Sequence, residues 1–331
     1  MPELTEGPRG LAALCEAARP AHWIKNLFVA APLLFSQRFT EGTCWWLGAL
    51  AVAAFCLLSS GTYLINDVCD RRRDRAHPDK CHRPVASGRL SAPAAGAAGV
   101  VLLAGGLAVA AVAALLTPAG LWVGAAGAPL GGWGVVVWAA CYAALSLIYS
   151  LWLRSRPIAD VILVALGFVL RAMAGAAAIA VPISPWLVVC TFTLCLFIAL
   201  TKRRAEADDL GGQAGAAVRR THIVYSRGNL DMMLAVSASM AMLTYALYCL
   251  APATVARFGS AHLIWTLPIV VYGLFRFNLI SRSCGGDPVR VLLRDKAMWL
   301  VIVVYVTLTA LVVAFGSRVR VGLLLDAGGA S

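Results

Sequence analysis

The 331 residues are 60% hydrophobic and only 13% charged, with a mean hydropathy of +0.80. Ordinary globular domains are roughly 45 to 50% apolar and about 25% charged, so a soluble, water-facing core is excluded and lipid is the solvent for most of the chain. The charge is lopsided, with 28 Lys and Arg against 16 Asp and Glu, net +12.

The first residues, up to Pro20, contain Glu3, Glu6, Pro8 and Glu16 and lack an apolar core with a cleavage site. They are read as a cytoplasmic arm (1–21) rather than a signal peptide. Apolar runs bounded by Gly, Pro and charge then predict helices near 25–37, 44–65, 92–116, 134–152, 158–181, 184–201, 230–251, 261–281 and 297–316. A span needs about 20 apolar residues, which makes the run at 25–37 the shortest. The runs are too long for strands and lack the alternation of a lipid-facing barrel. The expectation is an all-α, polytopic membrane protein of about nine transmembrane helices, a single domain over 1–331. Ten cysteines are scattered, mostly inside apolar runs; Cys69 and Cys81 near His77 and His82 fit no common zinc spacing.

Sorted by connection, 22 of the 28 cations fall on one side of such an arrangement: in the arm, in loops 66–91, 202–229 and 282–296, and in the short 152–157 turn. Arg171 and Arg276 lie within spans, and Arg318 and Arg320 run against the pattern. The positive-inside rule places the basic loops in the cytoplasm, in a multi-pass protein of the plasma membrane. Orientation and lipid contact account for loose cations. They leave unexplained the acidic residues set among them.

After the second run the chain reads Asn66-Asp67-x-x-Asp70-x-x-x-Asp74. On a continuous helix the three carboxylates stand at i, i+3 and i+7, within about 60° of one another. Like charges so stacked repel, and a divalent cation removes the penalty. Hard oxygen ligands beside a phosphorylated substrate suit Mg2+, with Asn66 as a neutral donor. Arg–Asp pairing on a solvated helix end is the alternative.

This string resembles the first aspartate-rich motif of the UbiA superfamily of intramembrane prenyltransferases. His22-Trp23-Ile24-Lys25-Asn26, the string HPxKxxRPxASG from His77 to Gly88, Gly167 to Gly175 around Arg171, Lys202-Arg203-Arg204-x-Glu206, and Gly285-Gly286-Asp287 to Asp295 extend the likeness to roughly residues 17–316, closest to an actinobacterial branch. The resemblance implies a UbiA-like bundle around a central polar cavity open to the cytoplasm. It implies Asp67, Asp70 and Asp74 as catalytic, Mg2+-holding residues. Lys25, Asn26, Tyr63, His77, Lys80 and Arg83 are then expected to bind substrate. Tyr149, Arg154 and Asp160 resemble a second short motif of the superfamily, with Arg154 where Lys is usual. Arg171 contacts substrate, links to Asp160 or serves in packing.

Most superfamily members carry a second acidic motif where this chain has Lys202, Arg203, Arg204 and Glu206. That asymmetry suits phosphoribosyl pyrophosphate, whose 5-phosphate needs cations beyond those that neutralise the diphosphate. A positive-inside anchor, with Glu206 pairing Lys202, is the plainer account, and Asp208 and Asp209 could be a remnant second metal motif. The expected reaction is Mg2+-dependent transfer of 5-phosphoribose to a polyprenyl phosphate lipid, a step toward cell-wall arabinan. Prenyl transfer to an aromatic or lipid acceptor and phosphoribosylation of another acceptor are the alternatives. Nucleic acid is not an expected partner. The Ala- and Gly-rich spans are compatible with a homo-oligomer without predicting one.

Overall fold

The computed structural model describes residues 10–36, 38, 40–76, 80–117, 131–153, 156–182, 184–209, 225–283 and 288–316. Most of these residues are helical, and among them eight helices are long and apolar enough to cross a membrane. Contacts cluster into two compact units, one holding Met1–Leu33, Glu41–Arg156 and Leu170–Pro182, the other Leu34–Thr40, Pro157–Val169 and Ile183–Ser331.

In the first unit, helix α1 (Leu11–Ala18) leads into a 3-10 turn (Pro20–Asn26) and helix α2 (Leu27–Leu34). The run at 25–37, expected as a span, is therefore a turn and an eight-residue helix containing Pro32. Eight residues rise about 12 Å, well short of the roughly 30 Å hydrocarbon core. Helix α3 (Gly42–Cys69) continues four residues past its expected end, so Asn66 and Asp67 belong to its last turn. Two short helices follow, α4 (Arg71–Arg75) and α5 (Pro84–Ser87), and Gly88, at φ 85°, ends the second. Helix α6 (Ala92–Leu116) is capped by Ser91, which accepts from the Ala94 N–H at 3.3 Å. Helix α7 (Gly134–Ile148) runs into a π-helical turn (Tyr149–Leu153).

Helix α8 (Ala159–Ala178) gives its first half to the second unit and its second half to the first. The second unit continues with α9 (Pro185–Asp209), α10 (Arg227–Leu250), α11 (Pro252–Phe258), a 3-10 turn (His262–Thr266), α12 (Leu267–Ser283), α13 (Pro288–Arg294) and α14 (Lys296–Phe315). Helix α9 outlasts the expected span by eight residues, so Lys202 to Asp208 are helical rather than looped. Asp295 starts α14 by accepting from the Met298 N–H at 2.7 Å while binding Arg276 at 2.7 Å. The intramembrane Arg276 thus has a carboxylate within its own unit.

Packing in the first unit depends on small residues, as expected where lipid removes the hydrophobic drive between helices. Ala51, Ala54, Phe55 and Leu58 of α3 meet Ala110 and Ala113 of α6, Tyr142 of α7 and Ala174 and Ala177 of α8. A Cβ on Gly61 would come within 2.7 Å of the Gly99 carbonyl oxygen, so α3 and α6 approach backbone to backbone there. In the second unit larger side chains fill the core: Phe197, Leu200, Leu230, Leu234, Leu274, Phe277 and Met298. Trp45, Trp133, Trp186, Trp265 and Trp299 are exposed close to the starts of spans, where an indole suits the headgroup level.

Candidate active site

The acidic segment keeps its helical course across the joint between α3 and α4. The Asp70 N–H donates to the Asn66 carbonyl at 2.9 Å and the Asp74 N–H to the Asp70 carbonyl at 2.8 Å. Asp67 and Asp74, 2% and 3% exposed, turn to the same place, because one nitrogen of Arg83, Nη1, lies 3.3 Å from Asp67 and 2.8 Å from Asp74. Asp70 is half-buried. The i, i+3, i+7 reading of the sequence is thus the right register for Asp67 and Asp74, and Arg83 from the HPxKxxRP string stands between them.

Arg19 completes the cluster and is absent from the sequence-derived set. Its Nη2 donates to Asp67 Oδ1 at 2.5 Å, the same oxygen that Arg83 approaches. Its guanidinium stacks 5.0 Å from the Tyr63 ring centroid. Tyr63 in turn takes the His22 ring edge-on at 5.6 Å, and Lys25 Nζ lies 3.3 Å from His22 Nδ1. The arm is fixed to α3 by Ser60, whose hydroxyl donates to the Ala18 carbonyl at 2.9 Å and accepts from Trp23 Nε1 at 3.0 Å. Arg89 braces the far side with a bidentate pair to Glu16 at 2.7 and 2.8 Å and a bond to the His82 carbonyl. The available signal for Arg19 was its place just before the His22-Trp23 pair at the membrane edge.

Deeper in the same unit, Asn26 is fully buried. Its amide donates to Ser59 Oγ and lies near Cys56 Sγ, both at 3.3 Å, while its oxygen accepts from Arg171 Nε at 2.9 Å. Arg171 also donates to the Tyr142 hydroxyl at 2.7 Å and stacks 4.5 Å over that ring. The Asp160–Arg171 link suggested by the sequence is not made. Eleven residues of helix separate the two by about 16 Å, beyond side-chain reach.

Asp160 belongs to a separate cluster in the second unit. It is 3% exposed and accepts from Tyr225 at 2.5 Å while Arg203 Nε binds its other oxygen at 2.7 Å. Tyr225 also accepts from the Ile158 N–H at 2.7 Å. Burial first, and then the bond to Asp160, push the Tyr225 phenol above its ordinary value. A lone tyrosine in a polar, Arg-containing stretch gave no sequence signal for this role. Glu206 binds Arg203 at 2.6 Å and Lys202 at 3.8 Å. Arg204 points elsewhere, onto Asp231 at 2.8 Å and Asp208, and Asp208 also binds Arg227 at 3.1 Å. The three consecutive cations therefore divide, with Arg203 on Asp160 and Arg204 tying α9 to α10. Tyr149 is half-buried in the π-helical turn. His77, Arg154 and Asp287 lie outside the described residues.

The donor chemistry at Asn66, Asp67, Asp70 and Asp74 fits a hard divalent cation. Among the described residues, no three His, Cys, Asp or Glu side chains already converge as a ligand set. Guanidinium groups neutralise Asp67 and Asp74 instead.

Long apolar helices, with buried carboxylates paired to half-buried guanidiniums at the end of a span, define a multi-pass membrane protein. The profile of the UbiA prenyltransferase family matches residues 26–287, and the chain belongs to that family of membrane transferases. It is 31% identical to the decaprenyl-phosphate phosphoribosyltransferase of Corynebacterium glutamicum, over 90% of this chain and 86% of that protein. With the protein of the same name from Mycobacterium tuberculosis it shares 28% identity over 95% of this chain and 98% of the relative. The fold matches a UbiA homolog from Archaeoglobus fulgidus, solved with GPP and Mg2+, at a TM-score of 0.64 and 16% identity, covering 91% of this chain and 99% of the other.

Proposed function

We propose that the protein transfers 5-phosphoribose from phosphoribosyl pyrophosphate to a polyprenyl phosphate, in keeping with the names of its decaprenyl-phosphate relatives. The bond from ribose C1 to the diphosphate oxygen breaks, a lipid phosphate oxygen bonds to C1, and pyrophosphate leaves. The observation that carries the reading is the buried Asp67–Arg83–Asp74 bridge with Arg19 on Asp67, an array of both signs at the end of a span. Asp67, Asp70 and Asp74, with Asn66, would hold Mg2+, which neutralises charge on the departing diphosphate when bound. Arg19, Lys25, Lys80 and Arg83 supply donors for phosphate oxygens, Arg in a fork that fits two of them at once. The lipid phosphate is already ionised at neutral pH, so its attack requires no general base. The distribution of cations supports a cytoplasmic donor site in the plasma membrane.

A second reading, prenyl transfer from a prenyl diphosphate, draws on the family's name and on the GPP-bound homolog. One observation favours phosphoribose over it: Lys202, Arg203 and Arg204 stand where most superfamily members carry a second acidic motif. The readings separate in one assay: purified protein with Mg2+ should release pyrophosphate only when phosphoribosyl pyrophosphate and polyprenyl phosphate are both present. Release from a prenyl diphosphate with an aromatic acceptor, and none from phosphoribosyl pyrophosphate, would reverse the order.

A further inference from the structure

Arg19 is held in an unusual way for a residue that pairs with a carboxylate. Its backbone lies in the left-handed region, φ 53° and ψ 59°, at the joint between α1 and the 3-10 turn. That conformation suits Gly or Asn and strains an arginine. Both sides of the joint are clamped, by the Ser60–Ala18 bond before it and by the His22 N–H donating to the Arg19 carbonyl at 2.9 Å after it. The side chain is held by Asp67 at 2.5 Å and by the Tyr63 ring, 5.0 Å from the guanidinium.

Two guanidiniums share Asp67 Oδ1, but they are not equivalent. Arg83 has Asp74 as its nearer partner, at 2.8 Å against 3.3 Å to Asp67. Arg19 has Asp67 as its carboxylate among the described residues, at 2.5 Å. A divalent cation bound to that carboxylate sits about 2.1 Å from its oxygens, and like charges so close exclude one another. Arg19 is the group whose release costs no second ion pair, and the ring of Tyr63 continues to face its charge after release.

We infer that Arg19 is a positioning residue, an internal counter-cation that occupies Asp67 and competes with the divalent cation for it. The inference rests on the reading of Asp67 as a metal ligand. Charge neutralisation of the buried carboxylates then never lapses, and loading of the cation frees a guanidinium at the place where a phosphate arrives.

The test is binding of Mn2+ to the full-length protein without substrate, followed by electron paramagnetic resonance, for wild type, Arg19→Asn, Arg19→Gln, Arg19→Lys and Asp67→Asn. Asn removes the cation and tolerates the left-handed backbone, and Gln provides a second neutral variant if Asn perturbs the arm. Competition predicts that both neutral variants bind Mn2+ at least about fivefold more tightly than wild type, that Lys stays close to wild type, and that Asp67→Asn weakens binding. Unchanged or weaker binding in the neutral variants, with Asp67→Asn impaired, overturns the role of Arg19 and leaves the metal assignment standing. Wild-type affinity in Asp67→Asn overturns both.

Discussion

Arg171 Nε donates to Asn26 Oδ1 at 2.9 Å, joining residues 145 positions apart inside one buried network. The guanidinium is 5% exposed and also binds Tyr142 through its hydroxyl and its ring face. An intramembrane arginine so held ties α8 to the turn before α2 and to α7 at once, and its alanine variant leaves Asn26 and Tyr142 with lost partners. Arg171→Ala should destabilise the folded protein by about 1–3 kcal/mol. The thermal midpoint in detergent, followed by tryptophan fluorescence, reports it, and an unchanged midpoint would deny the network a structural role.

The same joint is set by Gly175. A Cβ there would fall on the carbonyl of Val29, backbone against backbone, whereas a Cβ on Gly48 would meet nothing within 4 Å. Gly175→Ala should therefore cost about 1–3 kcal/mol through forced separation of α2 and α8. Gly48→Ala should be tolerated. Equal midpoints for the two variants would contradict this packing.

Tyr225 gives the second unit a dependence on pH. Its folded-state pKa is raised, by burial and by Asp160, so its contribution is fully present below the unfolded tyrosine value of about 10 and is lost as pH climbs above it. Tyr225→Phe should lower stability by about 1 kcal/mol at neutral pH and flatten the fall of the midpoint as pH rises above about 10. A Phe variant with the wild-type slope would remove Tyr225 from that account.

On the proposed chemistry, Asp67→Asn, Asp70→Ala and Asp74→Asn should each reduce transfer by about a hundredfold or more while Arg204→Gln acts mainly on stability, because Arg204 is engaged by Asp208 and Asp231. Initial rates set beside thermal midpoints distinguish the two effects. Wild-type rates in Asp70→Ala would remove that carboxylate from the site.

The eight long helices of the described residues and the shared face of Asp67 and Asp74 were legible in the sequence because apolar length and residue spacing are local signals. The ends of the helices were not. Asn66 and Asp67 read as the start of a loop, yet they sit in α3, because Arg19 and Arg83, 48 and 16 positions from Asp67, neutralise the carboxylate that would otherwise turn to water. Helix α9 likewise runs on through charged residues that pair at i+3 and i+4, Arg203 with Glu206 and Arg204 with Asp208. The run at 25–37 had the apolar composition of a span, but a 3-10 turn reaches to Asn26 and the helix that follows, with Pro32 inside it, ends at Leu34. Arg171 was visible as a charge in an apolar run, but its neutral partners Asn26 and Tyr142 come from distant segments.

The transfer itself is tested most directly by the fate of a label on ribose. Purified protein, Mg2+ and a polyprenyl phosphate are incubated with phosphoribosyl pyrophosphate labelled in the ribose carbons, and the organic phase is counted. The account predicts a labelled, lipid-soluble product that requires the polyprenyl phosphate and disappears in Asp70→Ala. An organic phase without label, from protein that converts a prenyl diphosphate in the same preparation, would contradict it.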